Sequence, residues 1–347
     1  MTPIAIAAGG MVTNVGFNAP ASCAAIRAGI RNIGEANLYD PATAEPVPCA
    51  RVELPQWWET TGKLAELVAP AILECLTHPD APAPRDVPIL LGVAGPDRPH
   101  RFEELDDRLL AAVERKLGLS RHPLSVVAGR GQVSAALAIR RARTLIQEDA
   151  VPGCIVACVD SFLRHNVVTA YAERRRVMTA ANSNGFFPGE AGAAVLAVGH
   201  KRTSGPHLRV LGLGFGQEPG TIESTQPCRG EGMTQALRSA VTEAEIDFGA
   251  IAYRVTDLNG EHYKFKEASI AVMRLERRPH HQPFELWHPI EYVGEIGAAI
   301  GPIALTLALS AGARGYAPGR FALLHFSDDG GDRAAIVTEF RNGGGHA

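Results

Sequence analysis

Cys154 and Cys158 stand four residues apart, and thiolates at such spacing can share a metal ion. A closed site needs a second cysteine or histidine pair, and none lies nearby in sequence. The two therefore read as thiols packed on a buried strand. Ser134 offers a hydroxyl nucleophile but no base partner in sequence, so it reads first as a small helix-packing residue. The run Asp328-Asp329-Gly330-Gly331-Asp332 has the composition of a calcium loop without its alternating ligands or closing glutamate. Gly212-Leu213-Gly214-Phe215-Gly216 lacks the helix-opening spacing of a dinucleotide fingerprint and reads as a strand bend or turn. His280-His281, between Pro279 and Pro283, reads as surface loop, and Trp57-Trp58 as core packing, with a partner surface as the alternative. None of these patterns completes a cofactor or metal site, and neither is expected.

The elements that would position such residues alternate along the chain. Apolar spacing predicts helices over 19–29, 61–76, 102–117, 132–147, 233–244, 266–275 and 296–311. Apolar runs predict strands over 87–93, 124–128, 155–159, 193–198, 208–214, 251–256, 321–326 and 334–340. Residues 199–206 are polar and turn-rich, which divides the chain into halves of 1–200 and 201–347. Each half alternates helix with strand and ends on a hairpin-like apolar strand. The pattern fits a layered α/β/α architecture with an internal pseudo-repeat.

Composition narrows the surroundings. With 347 residues, 46% hydrophobic and 20% charged, the chain can bury a sizeable core. A net charge of −3 gives no electrostatic reason to expect nucleic acid or an anionic membrane as partner. The clusters Arg140, Arg141, Arg143 and Arg174, Arg175, Arg176 read as solvated helix faces. The first residues lack the basic start and long apolar run of a signal peptide, and no apolar run is long enough to span a bilayer. Six scattered cysteines argue against a disulfide framework and for a reducing, cytoplasmic setting.

Five segments carry a family resemblance. They are the opening Ile4-Ala5-Ile6-Ala7-Ala8-Gly9-Gly10-Met11-Val12, and Gly131-Gln132-Val133-Ser134-Ala135-Ala136 with Cys158-Val159-Asp160 beyond it. The others are Asn184-Gly185-Phe186-Phe187-Pro188-Gly189-Glu190-Ala191-Gly192-Ala193-Ala194, Ala252-Tyr253-Arg254-Val255-Thr256-Asp257, and Gly294-Glu295-Ile296-Gly297-Ala298-Ala299. Together they resemble the β-ketoacyl-ACP synthases of the thiolase superfamily, the 184–194 stretch most specifically. The resemblance implies a thiolase-like fold with two related halves.

It also implies a site. In that family a cysteine is acylated, and two histidines assist decarboxylation and condensation. The matching positions here hold Gln132, Asp257 and Glu295, and Ile290-Glu291 occupies the neighbourhood of the family's lysine. The glycine-rich closing loop of the oxyanion hole corresponds to Phe326-Ser327-Asp328-Asp329-Gly330-Gly331, so Phe326, Gly330, Gly331 and Ser134 become candidate substrate-binding residues. An amide cannot attack a thioester as a thiolate does. Two carboxylates about 4 Å apart repel by about 4 kcal/mol at an effective dielectric near 20, and a malonyl carboxylate would meet that repulsion. The expectation is a pseudoenzyme that does not condense. Glutamine at the nucleophile position resembles the chain length factors of polyketide synthases. The implied partners are a second copy or a synthase-like subunit, an acyl carrier protein, or an effector of a secretion cluster. The alternative is an acyltransferase-class enzyme with changed chemistry, such as malonyl decarboxylation or thioester hydrolysis.

Overall fold

The computed structural model describes residues 3–55, 59–276 and 284–343. The readings made for Trp57, Trp58, His280 and His281 fall outside the described residues.

The first half runs β1 (Ile4–Val12), α1 (Ala19–Arg27), β2 (Gly34–Tyr39), β3 (Pro46–Cys49), α2 (Thr61–Leu76), β4 (Ile89–Val93) and α3 (Leu105–Leu117). It continues through β5 (Val126–Gly129), α4 (Ser134–Gln147), β6 (Gly153–Ser161), α5 (His165–Glu173) and β7 (Glu190–Gly199). The second runs β8 (His207–Gln217), α6 (Glu231–Ala244), β9 (Tyr253–Thr256), α7 (His262–Leu275) and β10 (Glu285–Trp287). It ends with α8 (Ile290–Val293), α9 (Ile300–Ala313), β11 (Phe321–Ser327) and β12 (Asp332–Arg341).

The strand order repeats. The first set lies β5-β4-β6-β7-β1 and the second β10-β9-β11-β12-β8. In each, the two outer pairings are parallel and the two inner ones antiparallel. Parallel neighbours need a helical crossover, which α3 supplies between β4 and β5 and α7 between β9 and β10. Antiparallel pairing of Ile4–Ile6 in β1 with Leu208–Val210 in β8 joins the two sets.

Helices α4 and α9 lie between the inner faces of the two sets and share one apolar core with them, including Ile139, Cys154, Cys158, Ile303, Leu305 and Ile336. Helices α2 and α3 cover the outer face of the first set, and α6 and α7 that of the second. The layered α/β/α expectation therefore holds, with one helical layer common to both halves. Helix α9 is apolar all round, as a central helix must be, and Ile300 through Leu309 are buried without interruption.

Two local expectations change. The glycines of β8 make no turn, and the strand carries an irregularity at Leu211 beside Gly212. A side chain at Gly212, Gly214 or Gly216 would collide with backbone of α6, so the stripe lets that helix lie directly on the strand. The β2–β3 hairpin carries no sequence signal because β2 is mostly exposed, with Leu38 its one buried residue. Among the described residues, no helix is long and apolar enough to cross a membrane.

Candidate functional site

Helices α4 and α9 open in the same way. Each follows a 3-10 turn, Gly131–Val133 and Gly297–Ala299, whose glycine has positive φ, 51° and 49°. Only glycine adopts this region without strain. A carboxylate from the opposite half closes over each glycine: Asp328, after β11, over Gly131, and Asp160, on β6, over Gly297. A side chain at either glycine would collide with that carboxylate.

This arrangement sets Gln132 at the head of α4 and Glu295 just before the turn into α9. Gln132 Nε2 donates to Glu295 Oε1 at 3.4 Å. The Phe187–Gly189 backbone holds Glu295 in place: Glu295 N donates to Phe187 O at 2.7 Å, and Gly189 N to Glu295 O at 3.0 Å. Its carboxylate also accepts Gly297 N at 2.9 Å and Asn259 Nδ2 at 2.6 Å. Asp257 follows β9, and its Oδ2 accepts Ser327 N at 2.8 Å. Between the two acids stands Lys264 of α7, with Nζ 2.8 Å from Asp257 Oδ2 and 4.0 Å from Glu295 Oε2.

The structure thus gathers Gln132, Asp257 and Glu295 into one buried cluster, and corrects the charge expected of it. The two acids do not face each other unscreened, because a buried ammonium lies between them. Burial disfavours the Lys264 charge, but Asp257 and Glu295 outweigh it and hold the ammonium above its ordinary range. Burial raises Glu295 above the usual carboxylate range, against the lowering pull of Lys264 and Asn259.

Arginines complete the surround. Arg176 makes two-pronged contacts with Glu261, at 2.7 and 3.0 Å, and with Asp329, at 2.7 and 2.9 Å. It is 5% exposed, so this member of the 174–176 cluster is not a solvated face. Against the cost of burial, Arg176 holds Asp329 down to about 2. Arg98 pairs with Asp160 at 2.6 and 3.3 Å, lies 3.5 Å from the centre of the Phe162 ring, and Asp160 also accepts Ala298 N at 3.1 Å.

A pocket of about 380 Å³ opens above Gln132, walled by Asp97, Arg98, Arg130, Asp328 and Gly330 among others. Burial pushes Asp328 up to about 6, with the Gly330 N–H opposing it. Of the substrate-binding candidates, Gly330 borders this pocket. Gly331, at φ 99°, shapes the turn into β12. Phe326 is buried in the shared core. Ser134 Oγ turns from the pocket toward Val93 O and Ala128 O, each at 3.4 Å, and accepts Arg130 N at 3.1 Å. Cys154 and Cys158 are buried on β6. Burial pushes the Cys158 thiol up to about 12, far from nucleophilic use.

Sequence reasoning missed Lys264, Asn259, Arg176 and Arg98. Lys264 sits near the start of a charged helix, where lysine normally reads as solvated. Its only signal is its place seven residues after Asp257.

No family model matches this sequence, and no curated protein matches it. Solved structures do match, and they place the chain in the thiolase-like fold of ketosynthases. One similar chain comes from a ketosynthase of Xenorhabdus doucetiae in complex with its chain length factor. It is 14% identical, with 98% of each chain covered and a TM-score of 0.79. Another comes from the ishigamide ketosynthase/chain length factor, 20% identical over 98% of this chain and 99% of that one, with a TM-score of 0.71. The module 6 ketosynthase of the bacillaene synthase from Bacillus subtilis is 14% identical over 99% of this chain and 73% of that one, with a TM-score of 0.77.

Proposed function

We propose that this chain is a ketosynthase-like subunit that does not condense, and that it acts by association, as a chain length factor does with its ketosynthase. The observation that carries this reading is the Gln132–Glu295 pair. The position at the head of α4 holds an amide bonded to a buried carboxylate, with a lysine rather than imidazoles behind it. An amide forms no acyl-enzyme, and no thiol stands in for it there, since Cys158 lies behind the helix against Ser134 and Gly92. The ketosynthase–chain length factor complexes among similar structures support an associating role.

The partner we propose is a synthase-like chain or a second copy, with an acyl carrier protein as the protein served. The edge strand β5, with Val126 exposed, supports such pairing. The division into halves at 1–200 and 201–347 is part of the same proposal, supported by the repeated strand order.

The test is incubation of the full chain with radiolabelled acyl-ACP or acyl-CoA. The expected result is no covalent adduct. Stoichiometric labelling at any cysteine overturns the reading.

A further inference from the structure

The two carboxylates that close over Gly131 and Gly297 occupy equivalent places in the repeated halves, yet only one has a cation. Asp160 holds Arg98 in a two-pronged ion pair, and the guanidinium lies on the Phe162 ring two residues further along. At the equivalent place Asp328 forms no ion pair among the described residues. Its Oδ2 accepts only the Gly330 N–H, at 2.9 Å. Two residues beyond Asp328 stands Gly330 where the first half has Phe162. The segment after β9 supplies Asn259 and Glu261 where the segment after β4 supplies Arg98. The cation and its aromatic platform are both missing, and the pocket of about 380 Å³ opens at that place.

Gln132 gives a second, separate indication. It is 5% exposed and borders the pocket, and its Nε2 is engaged by Glu295. Among the described residues nothing donates to its Oε1. That oxygen is not sealed from the pocket, so a ligand donor can take the place of the water that meets it there. Asp328, Asp97 and Gln132 therefore present acceptors to the same space. Of the nearby arginines, Arg98 is engaged by Asp160, and Arg130, 60% exposed, reaches Asp332 at 3.6 Å on the pocket rim.

We infer that this pocket binds a small organic cation, a guanidinium or primary ammonium, held by Asp328 with Gln132 Oε1 as a second acceptor. The ligand supplies to the second half what Arg98 supplies to the first. The volume falls in the range of small-molecule sites, about 300–1,000 Å³. A planar guanidinium matches a carboxylate in two-pronged geometry. The inference stands on pocket geometry and not on the partner reading above.

Isothermal calorimetry on the full chain at pH 7.5 tests it, with agmatine as the cationic probe and succinate and butyramide as anionic and neutral controls. The expected result is saturable one-to-one binding of agmatine and no binding of either control. Asp328→Asn should weaken agmatine at least about tenfold, as loss of a charged hydrogen-bond partner does. Gly330→Phe, which fills the space corresponding to Phe162, should abolish binding. Asp328→Asn is the decisive variant, and its thermal unfolding is measured alongside to show that it is folded. No binding of agmatine, equal binding to Asp328→Asn, or competition by succinate would each overturn the inference. The acyl-labelling experiment reads a different property, so failure of either leaves the other standing.

Discussion

Lys264 Nζ donates to Asp257 Oδ2 over 2.8 Å, with the two side chains 3% and 1% exposed. Breaking such a pair from one side leaves an uncompensated buried charge, which typically costs about 3–5 kcal/mol. Lys264→Met should therefore destabilise the protein by about that amount in urea unfolding. The double variant Lys264→Met/Asp257→Leu should recover much of the loss, because it removes the orphaned carboxylate as well. A double variant no better than the single one would mean that the pair is not the energetic unit described.

Asp328 makes a prediction about pH. Its carboxyl is raised from 3.8 to about 6 in the folded protein, chiefly by burial. The native state then holds this proton more tightly than the unfolded chain, so its contribution to stability is present at low pH and is lost as pH rises from about 4 to 6. Asp328→Asn should be more stable than the parent above pH 7 by on the order of 2–3 kcal/mol and nearly equal to it at pH 3.5. Urea unfolding at the two pH values checks this. A constant difference between parent and variant would contradict the burial account.

Gln132→Cys restores sulfur to the head of α4 but should not restore a nucleophile. The new thiol would sit beside Glu295, where a carboxylate and burial both favour the protonated form. Its alkylation by iodoacetamide at pH 7.5 should be at least about tenfold slower than that of a free cysteine, and no acyl adduct should form from acyl-CoA. Alkylation at or above the free-thiol rate would show an electropositive pocket and contradict the charge arrangement described.

The fold was legible because its evidence is local. The apolar strands near Ile155 and Val195 and the small-residue helix around Ile303 announce buried elements in any order-preserving reading. The 184–194 motif marks the backbone that fixes Glu295, and the glycines at 131 and 297 mark the two turns. What stayed hidden depends on pairing across the chain. Lys264 and Arg176 carry the composition of solvated residues, and their burial is explained only by Asp257, folded back across the turn between β9 and α7, and by Asp329, from a distant segment. The Asp160–Arg98 pair is likewise visible only once β6 and the segment after β4 lie side by side.

Strand β5 bounds the first half of the sheet, paired on one side by β4 and, among the described residues, open on the other. Its Val126 is 47% exposed, one of a few large apolar residues left at the surface. An apolar edge with free backbone groups is a template for pairing with another chain, and proteins that must avoid this place lysine there. Val126→Lys should therefore shift the protein toward the monomer, or weaken its co-purification with a synthase-like partner, while leaving thermal unfolding of the chain within about 0.5 kcal/mol, as for exposed substitutions generally. Light scattering after size exclusion reads the assembly, and calorimetry reads the fold. An unchanged assembly with Val126→Lys would move the proposed interface away from β5, since a buried ammonium at a strand-to-strand junction costs more than the pairing of so short an edge returns.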